Sequence, residues 1–164
     1  MLTVVEANLT LPAHGQALMQ LLNEYALDPM GGAEPLSEHV KNNLLPALQK
    51  RPITWAVLAF DGAIPAGLII SFEGFSTFAC QPLLNLHDVV VSQPYRGKGV
   101  FKLMLQQLEE IAQRLGCCKL TMEILEGNRH AMAAYRAHGF AGYELDPAMG
   151  KAVFWQKKLG SRNL

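Results

Sequence analysis

A chain of 164 residues, half of them hydrophobic and 17% charged, has the composition of one globular domain of ordinary size and excludes a disordered or fibrous protein. Fourteen basic residues balance fourteen acidic ones, so the total supplies no field for nucleic acid, and no apolar run nears the ~18 residues that a membrane span needs. Three cysteines, the adjacent Cys117 and Cys118 among them, form neither a disulfide framework nor a zinc spacing and suit a reducing cytoplasm.

Leu2 to Ala7 reads as a first strand. Pro12 to Tyr25 reads as a helix with Leu18, Leu21, Leu22 and Tyr25 on one face. The run Asp28-Pro29-Met30-Gly31-Gly32 breaks it, and Ser37 to Gln49 fits a second helix. Thr54 to Phe60 and Pro65 to Phe72, joined at Asp61-Gly62, predict a hairpin. Leu83 to Val91 is almost wholly apolar, as a central strand covered on both faces should be. Gly99 to Arg114 predicts a third helix with Val100, Met104, Leu108, Ile111 and Leu115 as its core stripe. A strand over Cys118 to Leu125, a helix after Asn128 and two closing strands, near Tyr143 and over Val153 to Lys157, complete a single domain over 1–164. The N-terminus has no basic segment followed by an apolar stretch, so no secretory leader is expected. The five histidines show no metal-ligand spacing, so no metal is expected.

The stretch Tyr95-Arg96-Gly97-Lys98-Gly99-Val100 joins the central strand to the third helix. Gly97 and Gly99 permit positive φ or close approach of a ligand, and the first amides of a helix have no intrahelical partner. With Arg96 and Lys98 beside them, these groups suit a phosphate. The turn is not a P-loop, because no Ser or Thr follows Lys98. It is not a dinucleotide fingerprint either, because Lys102 stands where a third small residue is required.

A second segment, Asn128 to Phe140, has an N-cap residue, then Ala131, Ala134, Tyr135 and His138 on one helical face, then Gly139. By itself it is equally a short capped helix with a packed tyrosine. Together, the Arg-Gly-x-Gly turn and the Asn-x-x-Ala-x-x-x-Tyr-x-x-x-Gly-Phe helix resemble the GNAT superfamily of acyl-CoA-dependent N-acyltransferases, firmly from about Leu84 to Phe140. The resemblance implies an α/β fold (α+β in some schemes). Its sheet would be mixed but mostly antiparallel, with six to seven strands, about four flanking helices and a splay between strands four and five. It also implies acetyl-CoA as cosubstrate and direct transfer of the acetyl group to a primary amine, without a covalent enzyme intermediate.

An alkyl ammonium with pKa near ~10.4 is about 4.6 kcal/mol from its reactive neutral form at pH 7, so a base is useful. By resemblance, Tyr135 faces the CoA sulfur as general acid. The backbone amides of Val89, Val90 and Val91 bind the pantetheine arm and polarise the thioester carbonyl. Arg96, Gly97, Lys98, Gly99 and Val100 bind the phosphates, and Asn128 contacts the arm. For the base, His87 and Asp88 draw attention as consecutive polar residues in an apolar strand. Diamine acetyltransferases of the superfamily carry Leu-Glu-Asp there, and His87 replaces the Glu. In regular alternation His87 and Asp88 point to opposite faces, so only one can serve the cleft, and a core histidine bonded to backbone fits as well. Glu123 is the second candidate for base or amine anchor, and Glu73 a weaker third. Asp88, Asp28 and Glu34 are the candidate ligands for a cationic acceptor. The first 90 residues carry eight acidic against three basic residues, which favours a small cationic amine. Acetylation of a protein N-terminus or lysine, and a non-catalytic CoA-binding sensor, are the competing readings. The family expectation is a cytoplasmic enzyme without membrane or nucleic-acid partners, and leaves a homodimer open. Phe101 departs from the small residue usual at its place.

Overall fold

The computed structural model describes residues 1–160, which fall into two compact units divided after Met122. In the first, β1 (Leu2–Glu6), β2 (Thr54–Asp61), β3 (Ile64–Ser76), β4 (Gln81–Val91) and β5 (Leu120–Met122) form one sheet in chain order. The first four strands pair antiparallel, and β5 runs parallel to β4. The α/β class and the mixed, mostly antiparallel sheet match expectation, but the sheet has five strands instead of six to seven.

Helices α1 (Pro12–Leu27) and α2 (Glu38–Gln49) follow β1, and α3 (Val100–Arg114) follows β4. Pro12 opens α1 at a position where a missing amide costs nothing, and the Ser37 hydroxyl caps α2 by accepting from Val40 N. Leu18, Leu21 and Leu22 of α1 bury against Leu58, Leu68, Ile70 and Val90 of the sheet. Alternation along β3 turns Gly67 the other way, toward α3. A Cβ there would stand 2.8 Å from Met104 Cε and 3.0 Å from Val100 Cγ1, so the helix leans directly on bare backbone. Thus α1 and α3 cover opposite faces, and Ala66 through Ser71 of β3 are all buried. The predicted stripe of α3 holds, with Leu105 and Ala112 added to it and Leu115 only half-buried.

Beyond Leu86, β4 is paired on the β3 side only among the described residues, since β5 meets just Leu84, Asn85 and Leu86. The pairing stops there because β5 is much shorter than the Cys118 to Leu125 predicted.

The second unit contains α4 (Arg129–Ala137) and a 3-10 turn at Pro147–Met149 capped by Asp146. The two predicted closing strands are absent. Pro147 and Gly150 (φ +80°) wind that turn, and a single bridge, Glu144 to Lys151, is all that pairs there. Val153 to Lys157 has strand-forming side chains but no ladder partner among the described residues, and propensity without a partner makes no strand.

Candidate functional site

The turn after β4 has the form the glycines predict. Gly97 and Gly99 sit at φ +74° and +79°, and a Cβ at either would meet nothing within 4 Å. Gly99 caps α3 without a side-chain hydrogen bond, and no acidic residue occupies the first helical turn. The positive end of the helix is therefore uncompensated from within. Val100 is buried against Gly67, so only its amide can serve a ligand. Lys98 reaches back over the Tyr95 ring, with Nζ 5.6 Å from its centroid. Open glycine faces, the start of a helix and two cations fit the phosphates of CoA. Acetyl-CoA, when bound, supplies the acetyl thioester.

Arg96 is already engaged. Its Nη2 donates to Asp28 Oδ2 at 3.0 Å and its Nε to the Val91 carbonyl at 3.1 Å. Asp28 therefore meets the phosphate-turn arginine, where the sequence reading had it facing an acceptor. Its carboxyl lies below the usual carboxylate range because Met30 N donates to it, and Arg96 adds to the effect. Glu34, in the same loop, is exposed.

A β-bulge decides the geometry of His87 and Asp88. Leu86 pairs with Ser71 and Asp88 with Ile70, leaving His87 as the extra residue. Alternation is broken there, so the expectation that the two side chains point to opposite faces is overturned. Asp88 stands in register with Ile70, on the α1 face. The His87 ring meets Phe72 edge-on at 5.3 Å, and Phe72 packs on that same face. His87 is exposed, which excludes a core histidine, while Asp88 is half-buried. Burial pushes the Asp88 carboxyl up, and His87 beside it partly offsets this. Asp88 has no hydrogen bond or ion pair among the described residues. Tyr25, at the last turns of α1, is the neighbour that the sequence did not single out for the site. Its phenol is pushed up by burial and then by the charges of Asp88 and Asp28. A half-buried carboxylate with a raised pKa, next to an exposed imidazole and felt by a tyrosine phenol, is a perturbed cluster of the kind found at functional sites.

Glu73 accepts from Trp55 Nε1 at 3.3 Å, a structural use that accounts for it. Glu123 follows β5 and is exposed. Val90 is buried in the core, and Val89 and Val91 are half-buried, so these three offer backbone alone. In an antiparallel strand alternate amides point away from the partner, and beyond Leu86 no second strand takes them among the described residues.

Within the second unit, Asn128 Oδ1 accepts from Ala131 N at 3.3 Å and so caps α4. The Tyr135 ring is half-buried and lies 6.0 Å from Phe140, centroid to centroid, at a steep angle. The Tyr135 carbonyl accepts from His138 N and Phe140 N, which closes the helix at Gly139 (φ +87°).

A separate hollow of about 570 Å³ is lined by Glu6, Asn8, Gln49 and Arg51 and holds none of the candidate residues. Among the described residues no three His, Cys, Asp or Glu side chains gather for a metal, and no helix is long and apolar enough to cross a membrane.

Residues 15–140 match the model of the acetyltransferase (GNAT) family. A thialysine N-epsilon-acetyltransferase of Caenorhabditis elegans is 25% identical over 130 residues, which cover 76% of this chain and 75% of that one. An uncharacterized N-acetyltransferase of Bacillus subtilis is 35% identical over 123 residues, 74% of this chain and 76% of that one. A solved structure described as a probable acetyltransferase superposes with TM-score 0.75 at 20% identity, covering 98% and 99% of the two chains, and shares the fold.

Proposed function

We propose, because this chain belongs to the acetyltransferase (GNAT) family and is an acyl-CoA-dependent N-acetyltransferase, that its acceptor is a small cationic primary amine. The observation that carries this reading is Asp88, a half-buried carboxylate with no ion pair among the described residues, set by the bulge on the face that α1 covers. The C. elegans relative is by its name a thialysine acetyltransferase, and thialysine is an amine of that class.

In this reading Asp88 binds the acceptor ammonium and orients it. The exposed His87 takes a proton from the amine, directly or through one water, as an imidazole general base does. Those of the Val89 to Val91 amides that point away from β3 meet the charge that develops on the carbonyl oxygen. Gly97, Lys98, Gly99 and the Val100 amide bind the phosphates, and the family resemblance alone assigns the Tyr135 hydroxyl the proton given to the departing thiolate. Direct transfer then needs no nucleophile on the protein, and none of the free cysteines is assigned a role.

The test is CoA thiol release from acetyl-CoA against diamines, polyamines, amino acids, aminoglycosides and short peptides, with an enzyme-only blank because Cys80 and Cys118 are exposed. Amine-dependent release on small cations is expected. Release on peptides alone would transfer the reading to a protein acetyltransferase. Asp88→Asn separates binding from folding. A charge-assisted contact is worth about 1.5–3 kcal/mol, so kcat/KM for the cationic amine should fall by about 10- to 100-fold. Stability should move the other way. The folded-state pKa of Asp88 is raised, so the fold favours the protonated carboxyl, and ionisation costs stability as pH rises above the ordinary carboxylate range. Asn removes that cost. The variant should melt higher than the parent at pH 7, with the advantage vanishing in acid. Unchanged kcat/KM would eliminate Asp88 as the amine ligand.

A further inference from the structure

The residues around Asp28 form a compact, wound device. Its Oδ1 accepts from Met30 N at 2.9 Å, and its carbonyl accepts from Gly31 N and Ala33 N at 2.8 and 3.1 Å. Gly31 packs so tightly that a Cβ would collide with the Tyr25 carbonyl. Gly32 and Ala33 both take positive φ, +111° and +58°, the second an uncommon conformation for a residue with a side chain. This loop joins α1 to α2. Only Asp28 Oδ2 is left over, and it holds Arg96 across 68 positions of sequence. A second link runs in parallel, from Gln93 N to Glu24 Oε1 at 3.0 Å. The end of α1 therefore grips the connection from β4 to α3 at two points, one of which is the arginine of the phosphate turn.

We propose that Asp28 is the counter-charge that CoA phosphate must displace from Arg96, so that filling the phosphate turn releases the carboxylate clamp on the α1–α2 loop. The inference rests on the phosphate-turn reading above and makes Asp28 a positioning residue, in place of the acceptor ligand expected from sequence. The pair is accessible enough for exchange, with side-chain exposures of 50% for Arg96 and 24% for Asp28. The diphosphate of CoA, with one negative charge on each phosphorus, brings more charge and more acceptor oxygens to a guanidinium than one carboxylate does. The Nε contact to the Val91 carbonyl keeps Arg96 anchored at the turn during the exchange.

Asp28→Asn is the informative variant. Asn caps as well as Asp, so the hydrogen bond to Met30 N and the wound loop persist, and only the negative charge on Arg96 goes. Calorimetry of CoA binding to the full chain should then show affinity about two- to five-fold higher than the parent, the range of a partly exposed ion pair. Melting temperature should stay within a degree or two. In an Arg96→Gln background the same substitution should change CoA affinity by nothing, because the competition has lost its object. Equal or weaker CoA binding by Asp28→Asn would overturn the proposal, and so would an unchanged gain in the Arg96→Gln background. If the parent itself fails to bind CoA, the phosphate-turn reading falls as well. If the parent binds and the Asn variant merely equals it, only the displacement of Asp28 is lost.

Discussion

Replacement of Tyr135 by phenylalanine is expected to lower kcat by about 10²- to 10³-fold while CoA affinity stays within about two-fold, the signature of losing a proton donor used in the transition state. The described ring and backbone contacts of Tyr135 survive this substitution. The ring is fixed edge-on to Phe140, and the backbone of Tyr135 closes α4 through its carbonyl. Phenylalanine keeps both, and the Asn128 cap is untouched. A melting curve recorded alongside reads any structural cost of the exchange, and a loss of kcat with an intact fold would locate the effect in the chemistry. A departing alkyl thiolate is a modest base near neutral pH, so the proton is valuable without being indispensable, which is why the expected loss is bounded. Turnover equal to the parent would remove Tyr135 from the chemistry and leave it as a packed aromatic.

The second large effect is Gly97→Val, expected to weaken CoA binding by more than about 30-fold in calorimetry. Space is not the obstacle, since a Cβ at Gly97 would touch nothing within 4 Å. The cost is conformational. Gly97 sits at φ +74°, and an L-residue pays about 1–2 kcal/mol there, more when β-branched, so the turn rebuilds and its amides turn away. A side chain also fills the open face that a phosphate would approach. Gly62, at φ +60° in the β2–β3 turn and equally open, provides the control. Gly62→Val should cost comparable stability yet leave CoA affinity unchanged. Equal loss at both positions would trace the effect to global destabilisation; no loss at Gly97 would sink the phosphate-turn assignment.

How far the sequence could be read depended on whether a structural decision was local. The helices and first four strands were legible because burial writes itself into periodicity. Leu83 to Val91 is apolar since α1 and α3 cover both faces of β4, and the turn at Gly97 and Gly99 is legible because only glycine suits its φ values. The bulge at His87 left no such mark. One inserted residue changes which face its successors take without changing composition, so strict alternation separated His87 from Asp88 when the fold brings them to one side. The Arg96–Asp28 contact was invisible for another reason: it is a long-range pairing of two side chains that each have an ordinary local explanation. The closing strands failed because Val153 to Lys157 carries the right residues, while strand formation depends on a neighbour that sequence does not supply.

The bulge also bears on how substrate preference diverges among related chains. Upstream of His87, β4 sends Leu84 and Leu86 to the α3 layer; downstream, Asp88 and Val90 belong to the α1 layer. His87 thus works as a frame shift within a strand. A chain lacking one residue at this place would keep nearly every letter of the strand and yet turn a different set of side chains to the face that α1 covers. Percentage identity weighs such an event as a single gap, whereas one whole face of the sheet is rearranged. Under the proposal that Asp88 holds the acceptor, one inserted or deleted residue at this strand position would change the wall that the amine meets.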